Sequence, residues 1–246
     1  MSNLNEKVIL ITGASRGIGA TIARRLAKAG AKVIVNYAGS KEPAEKLVDE
    51  IKTEGGNAIA LQADVSQPDQ VKNLFDAGIA YYGRIDVLVN NAGIMFNSLI
   101  KDTTDDNFSR ILDINVKGTF NTMREAATRL ADKGSVINFS SSLTRVMIPT
   151  YGPYVATKAA VEQLSRVFSK EMGARGINVN IVSPGPTNTE LYTKGKTQEM
   201  IDRQAALSAF NRIGEPEDTA KVVEFLASDD AKWISAQNIG VNGAMA

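Results

Sequence analysis

Tyr151, Tyr154 and Lys158 stand together in the stretch YGPYVATKAA, Tyr154 four residues before the lysine and Tyr151 seven before it. A phenol beside an ammonium is an acid–base pair if the ammonium makes the phenolate less costly. The pair carries unusual weight here because the chain has no histidine and no cysteine. That excludes a Ser-His-Asp triad, thiol nucleophiles, disulfides and zinc sites of the usual His/Cys type, and no metal is expected. Chemistry at neutral pH is left to carboxylates, lysine, tyrosine, serine or a bound cofactor. A spacing of four places Tyr154 and Lys158 on one helix face. Gly152-Pro153 precedes them, and proline suits the first helical position. Tyr154 then lies in the first turn and Tyr151 outside it, which selects Tyr154. A free phenol titrates at roughly 10, so action near neutrality needs about 4 kcal/mol of help. One ammonium at ~4 Å supplies about that at an effective dielectric of ~20, and the helix N-terminus acts in the same direction. Taken alone, Tyr-x-x-x-Lys is common by chance and usually means a tyrosine packed on a lysine stem.

A second stretch, TGASRGIG (12–19), has glycines at 13, 17 and 19, with Ser15, Arg16 and Ile18 among them. The spacing is not G-x-G-x-x-G, but small residues between a strand and a helix do the same work. They let a pyrophosphate approach free backbone N–H groups at a helix N-terminus. An ordinary glycine-rich turn has the same composition. About 20 residues past such glycines, NAD sites usually carry an acid for the ribose hydroxyls. Here Asn36 and Tyr37 stand instead, followed by Ser40 and Lys41, with Arg16 inside the glycine turn. A missing acid with nearby cations favours the 2′-phosphate of NADP(H); the alternative is that Arg16 and Lys41 are simply solvated.

The elements that must position these residues are readable as alternation. Seven runs rich in β-formers fall at 7–12, 32–37, 57–64, 85–92, 135–141, 177–184 and 238–242, with amphipathic stretches between them. Several are apolar at consecutive positions, as in strands covered on both faces. The pattern predicts an α/β fold: a single-domain, Rossmann-type, doubly wound parallel sheet of about seven strands with helices on both faces. A length of 246 residues, 43% of them hydrophobic, suits one such domain with a substantial core. The net charge of +1 offers no basic field for nucleic acid or an anionic membrane. The apolar run at 8–11 is too short for a signal or a span, so a soluble cytoplasmic protein is expected. Residues 185–214 read as one long irregular region, with a substrate lid at about 186–213. Leu191, Tyr192, Met200, Leu207 and Phe210 there, with Leu143, Met147 and Ile148, suggest an apolar pocket for ketones or aldehydes, or equally a core of the lid. Lys194, Lys196 and Arg203 read as solvated or as contacts for an anionic substrate.

TGASRGIG, NNAG (90–93) and YVATK, in this order and at these separations, resemble the short-chain dehydrogenase/reductase family over essentially the whole chain. The resemblance implies that Tyr154 is the general acid in carbonyl reduction, and that Lys158 lowers its pKa and holds the nicotinamide ribose. Ser141, thirteen residues before the tyrosine, would bind the substrate oxygen; local chemistry alone does not choose among Ser140, Ser141 and Ser142. Asn115, in the middle of the fourth helix, would support a proton-relay water. For the cofactor, the family pattern places Asp64 and Val65 beside the adenine and Asn91, Ala92 and Gly93 along the ribose. It makes Pro184, Gly185, Thr187 and Thr189 the nicotinamide segment. A homotetramer is implied, with the fourth and fifth helices and the C-terminal region at its interfaces. The chain departs from the pattern at Ala244, where many members carry glycine, and at SAQ (235–237), which replaces Thr-Gly-Gln. The nearest-looking subgroup reduces 3-oxoacyl groups on an acyl-carrier protein. Asp132 stands where many of those enzymes are basic, while Arg175 matches a second basic position, so the carrier is a possible partner but not the favoured one. Reduction of a small-molecule ketone or aldehyde is the expected function; a non-enzymatic NADP sensor would have no use for the four catalytic-type residues.

Overall fold

The computed structural model describes residues 4–246. Its seven strands form one sheet, every neighbouring pair parallel, in the order β3-β2-β1-β4-β5-β6-β7. In chain order the elements are β1 (Val8–Ile11), α1 (Gly17–Lys28), β2 (Lys32–Tyr37), α2 (Lys41–Thr53), β3 (Asn57–Gln62), α3 (Pro68–Tyr82) and β4 (Val87–Asn90). Then come α4 (Asp105–Leu112), α5 (Gly118–Arg129), β5 (Ser135–Phe139), a short α6 (Leu143–Val146) and the long α7 (Gly152–Glu171). Last are β6 (Asn178–Pro184), α8 (Glu190–Thr193), α9 (Gln198–Ala205), α10 (Pro216–Ala227) and β7 (Asn238–Val241).

Alternation along the strands explains why the sheet is covered on both sides. Ile9, Ile11, Val33, Val35, Val87 and Val89 pack into one core with α1, α2 and α10. Val8, Leu10, Ile34 and Leu88 pack into the other with α3, α5 and α7. A period of two puts successive side chains on opposite faces, so each strand supplies both cores. Chain order reverses beside β1, whose neighbours are β2 and β4. Crossovers therefore leave to opposite sides there and open a crevice at the carboxyl ends of the strands.

Two local features refine the sequence expectation. The joint between α4 and α5 is a single π-helical turn, Asp113–Lys117, and Asn115 sits in it rather than in the middle of a regular helix. The region after β6 is not irregular throughout, since it contains α8 and α9. It leaves and returns at one neck, where Thr187 bridges Gly214 and Gly214 N donates to Pro186 O at 2.8 Å. No helix among the described residues is long and apolar enough to cross a membrane.

Candidate active site

The glycine turn and the NNAG segment are laced together above β1 and β4. Gly13 has φ +61°, and a Cβ there would lie 2.8 Å from Ala92 Cα, so only glycine fits both the conformation and the space. At Gly19 an added Cβ would lie 2.5 Å from Asn91 Nδ2. That amide donates to the carbonyls of Thr12 and Gly13, both at 2.9 Å, and Ala92 N donates to Thr12 Oγ1 at 3.0 Å. Arg16 is the N-cap of α1; no side chain caps that helix, and its first turn carries no acid. Free N–H groups beside a floor pared down to glycine fit a pyrophosphate. Ile18 and Thr189 face the same cleft, and Thr189 stands 3.5 Å from where a Gly17 Cβ would be. Ser15 is partly exposed within the turn.

Asn36 proves to be part of that scaffold. It is 1% exposed; its Oδ1 accepts from Gly13 N, and its Nδ2 donates to the carbonyls of Leu61 and Ala63. Asn36 therefore shapes the glycine turn from beneath. Arg16 remains exposed, with its nearest acid, Glu190, at 3.6 Å. Ser40 begins α2 without capping it, and Lys41 faces Glu45 at 3.7 Å. Asp64 accepts from Ser66 N and Oγ. Val65 is buried with its carbonyl held by Asn121.

α7 carries the chemistry. Tyr151 is its N-cap and Pro153 lies in its first turn, so Tyr154 and Lys158 face the cleft one helical turn apart. Ser141 lines the same cavity as Tyr154 and acts to lower its phenol. The neighbouring serines are engaged elsewhere: Ser140 donates to Glu162 at 2.6 Å, and Ser142 bonds Ser183 O and Asn242. All three serines line the cavity, and Ser141 Oγ accepts from Leu143 N. Lys158 Nζ donates to Phe139 O at 3.0 Å and lies 5.7 Å from the Tyr154 ring centroid. Asn115 is buried, exchanges hydrogen bonds with the backbone of Ile94, and donates to Thr157. A Cβ on Gly93 would be 3.3 Å from Asn115 Oδ1 and 3.5 Å from Lys158 Nζ. Both groups therefore border one gap that the glycine keeps open. Ser141, Tyr154 and Lys158 line a cavity of about 180 Å³ with Asn91, Gly93, Pro184, Gly185, Thr187 and Thr189.

A family model described as Enoyl-(Acyl carrier protein) reductase matches residues 13–245. Versicolorin reductase of Emericella nidulans is 44% identical, over 98% of this chain and 96% of its own. Among solved structures, the angucycline ketoreductase LanV with bound NADP superposes with a TM-score of 0.94 at 38% identity, covering 99% of this chain and 97% of that one. A short-chain dehydrogenase from Burkholderia cenocepacia in complex with NADP gives 0.94 at 36% identity, covering 99% of each. The chain belongs to the short-chain dehydrogenase/reductase family. It is an oxidoreductase of that family, and the doubly wound fold expected from the alternation is the one observed.

Burial pushes the Tyr154 phenol up to about 12, and the Ser141 side chain offsets this only in part. Burial also lowers Lys158 to about 8. The ammonium is itself desolvated and donates to Phe139 O, and burial disfavours its charged form. In the lid region Leu191 and Tyr192 line the cavity, as do Leu143 and Ile148. Met147, Met200, Leu207 and Phe210 are exposed instead. Lys196 stacks on the Tyr192 ring, and Arg203 pairs with Glu199. Met95, Gln204 and Met245 also line the cavity, and nothing in the sequence pattern marks them. Glu162 is likewise missed, although its place one helical turn beyond Lys158 on α7 was a usable signal.

Proposed function

We propose that the protein is an NADPH-dependent carbonyl reductase converting a ketone or aldehyde to an alcohol. The observation that carries this reading is the gathering of Ser141, Tyr154 and Lys158 on one cavity with the Asn91–Gly93 and Pro184–Thr189 segments, next to the uncapped N-terminus of α1. NADP(H) is the cofactor: two structural neighbours carry NADP, and β2 ends without an acid. Gly13, Ser15, Gly17, Ile18 and Gly19 would take the pyrophosphate side, with Arg16, Ser40 and Lys41 toward the 2′-phosphate. Asp64, Val65, Asn91, Ala92 and Gly93 would take the adenosine side, and Pro184, Gly185, Thr187 and Thr189 the nicotinamide end. Bound there, it supplies the hydride.

The chain's own residues handle the proton. Ser141 hydrogen-bonds the carbonyl oxygen, and Tyr154, neutral well above physiological pH, gives that oxygen its proton. Lys158 then stabilises the phenolate left behind, because an opposite charge in a buried site favours the ionised form. The gap over Gly93 between Lys158 and Asn115 holds the water that restores the proton. Residues 186–213 act as the lid over the substrate.

A carrier-protein substrate is disfavoured by one observation. Arg175, the matching basic residue, is turned inward to Asp132, Ala127 O and Leu130 O. The protein works as a cytoplasmic homotetramer, which would cover Phe108, Phe120 and Val167, exposed on α4, α5 and α7. The deciding experiment is NADPH oxidation across ketones, aldehydes and a 3-oxoacyl thioester, for the wild type and Tyr154→Phe. The variant is expected to lose about a thousandfold in kcat while still binding NADPH. Unchanged turnover with cofactor bound would reject the assignment.

A further inference from the structure

The lid presents one polar group that the proton chemistry leaves unused. Tyr192, in α8, lines the cavity beside Ser141, Tyr151 and Tyr154. Its hydroxyl is buried and meets no hydrogen-bond partner among the described residues. The other two buried atoms without a hydrogen bond, on Arg25 and Asn238, belong to residues that do not line this cavity, and Arg25 is ion-paired with Glu224. A hydroxyl taken from water without a partner is costly by about 1–3 kcal/mol, so a free conformer would be expected to turn back to solvent. Tyr192 is held from doing so. Lys196 Nζ sits 3.9 Å from its ring centroid and also donates to its backbone carbonyl, clamping ring and main chain together. Burial, with Tyr151 nearby, pushes the phenol up to about 12, so it stays a neutral donor through the physiological range. The cavity lining mixes apolar side chains, among them Met95, Leu143, Ile148 and Leu191, with polar ones, and none of the latter bonds the Tyr192 hydroxyl.

We propose that Tyr192 is a specificity-determining residue whose hydroxyl donates a hydrogen bond to a second substrate oxygen, one not borne by the reacting carbon. The preferred substrate is then an apolar-framed ketone carrying a further hydroxyl or carbonyl group. This rests on the carbonyl-reductase reading and narrows it. A site built to hydrogen-bond a substrate oxygen discriminates against the analogue lacking it, because its own polar group is left unpaired.

The test compares unsubstituted indanone with its ring-hydroxylated derivatives, using NADPH and both the wild type and Tyr192→Phe. Phenylalanine keeps the ring against Lys196 and removes only the hydroxyl. At least one hydroxylated ketone is expected to exceed the unsubstituted one in kcat/KM by about tenfold. Tyr192→Phe should abolish that preference, while turnover of unsubstituted indanone stays within about twofold and NADPH affinity is unchanged. A wild type without preference, or a variant that loses both ketones alike, overturns the inference while leaving the reductase reading intact. No reduction of any ketone by the wild type would overturn both.

Discussion

On the floor of the cleft Asn115, Ser140, Ser142 and Lys158 are buried and each is tied down by a hydrogen bond. Across from them, the lid offers a phenol with no partner and several apolar side chains open to solvent. The floor is built from the end of β5, from α7 and from the turn joining α4 to α5, elements whose positions the sheet and two cores fix. The lid leaves and returns at a neck at Thr187 and Gly214, and its far side is held to the C-terminal segment, through Ser208 and Ala209 donating to Gly243 O. The contrast teaches a division of labour: the acid–base machinery is preorganised, and substrate recognition is left to a segment that can accept different partners. If this is right, disturbing the floor alters rate whatever the ketone, whereas disturbing the lid alters which ketone is favoured.

The largest effect expected from the floor is electrostatic. Lys158 has a folded pKa of about 8 against an ordinary 10.5, so the fold disfavours its charge. Between those values the unfolded chain binds more protons, and stability contributed by the neutral lysine rises with pH, being lost again as pH falls through 8. Tyr154 works oppositely: its raised pKa holds stability below pH 10 that is lost toward 12. The stability difference between the wild type and Lys158→Met should therefore shift by about 3 kcal/mol between pH 7.5 and 10.5, in favour of the wild type at high pH. Denaturant unfolding at several pH values measures it. A difference independent of pH would mean that Lys158 is not desolvated and that the floor is looser than its geometry implies.

A smaller effect should come from Glu162. Its Oε1 accepts from Ser140 at 2.6 Å and from Thr144 at 2.9 Å, bracketing Ser141 from both sides and fastening that loop to α7. Glu162→Ala leaves the buried Ser140 hydroxyl unpartnered and Thr144 with only Ser141 O, costing about 1–3 kcal/mol of stability. The freed loop should lower kcat about tenfold for every ketone equally, with NADPH affinity retained. Glu162→Gln keeps an acceptor oxygen and should recover most of both. A loss that differed between ketones would place Glu162 with recognition and blur the contrast between floor and lid.

The floor is also the readable half. Every strand run expected from the sequence is a strand, and five runs overshoot at their carboxyl ends, through Thr12, Asp64, Asn91–Ala92, Ser140–Ser141 and Asn242. Those residues look like strand by composition, but they leave the ladder to form the turns that face the cleft. The overshoot therefore marks the site. Tyr154 and Lys158 are legible because helix periodicity is local. The direction of the Tyr154 shift is not, since desolvation depends on what the rest of the chain packs over it. Met245 and Gln204 are invisible for a related reason. They reach the cavity through the return of the C-terminal segment and the fold of the lid, which no short-range pattern encodes.

The smallest effects lie where the chain departs from its family. Ala236 and Ala244 both have φ +61°, a conformation that costs an L-residue about 1–2 kcal/mol and costs glycine little. Glycine gives back about 0.4–1 kcal/mol through the entropy of the unfolded chain, so each Ala→Gly change should stabilise by about 0.5 kcal/mol, or roughly 1–2 °C in Tm. Gly243, with the same φ, is the internal control: a Cβ there would lie 2.3 Å from Ser208 Oγ, so Gly243→Ala should destabilise. The two alanines should then part company in function. Ala236 precedes β7 and is remote from the cavity residues, so its change should leave kcat/KM untouched. Ala244 adjoins Met245, which lines the cavity, and a freer backbone there should weaken the preference between ketones without lowering kcat. Scanning calorimetry and the indanone pair measure both quantities. Equal functional effects from Ala236→Gly and Ala244→Gly would show that the C-terminal wall does not take part in recognition and would leave that role to the lid alone.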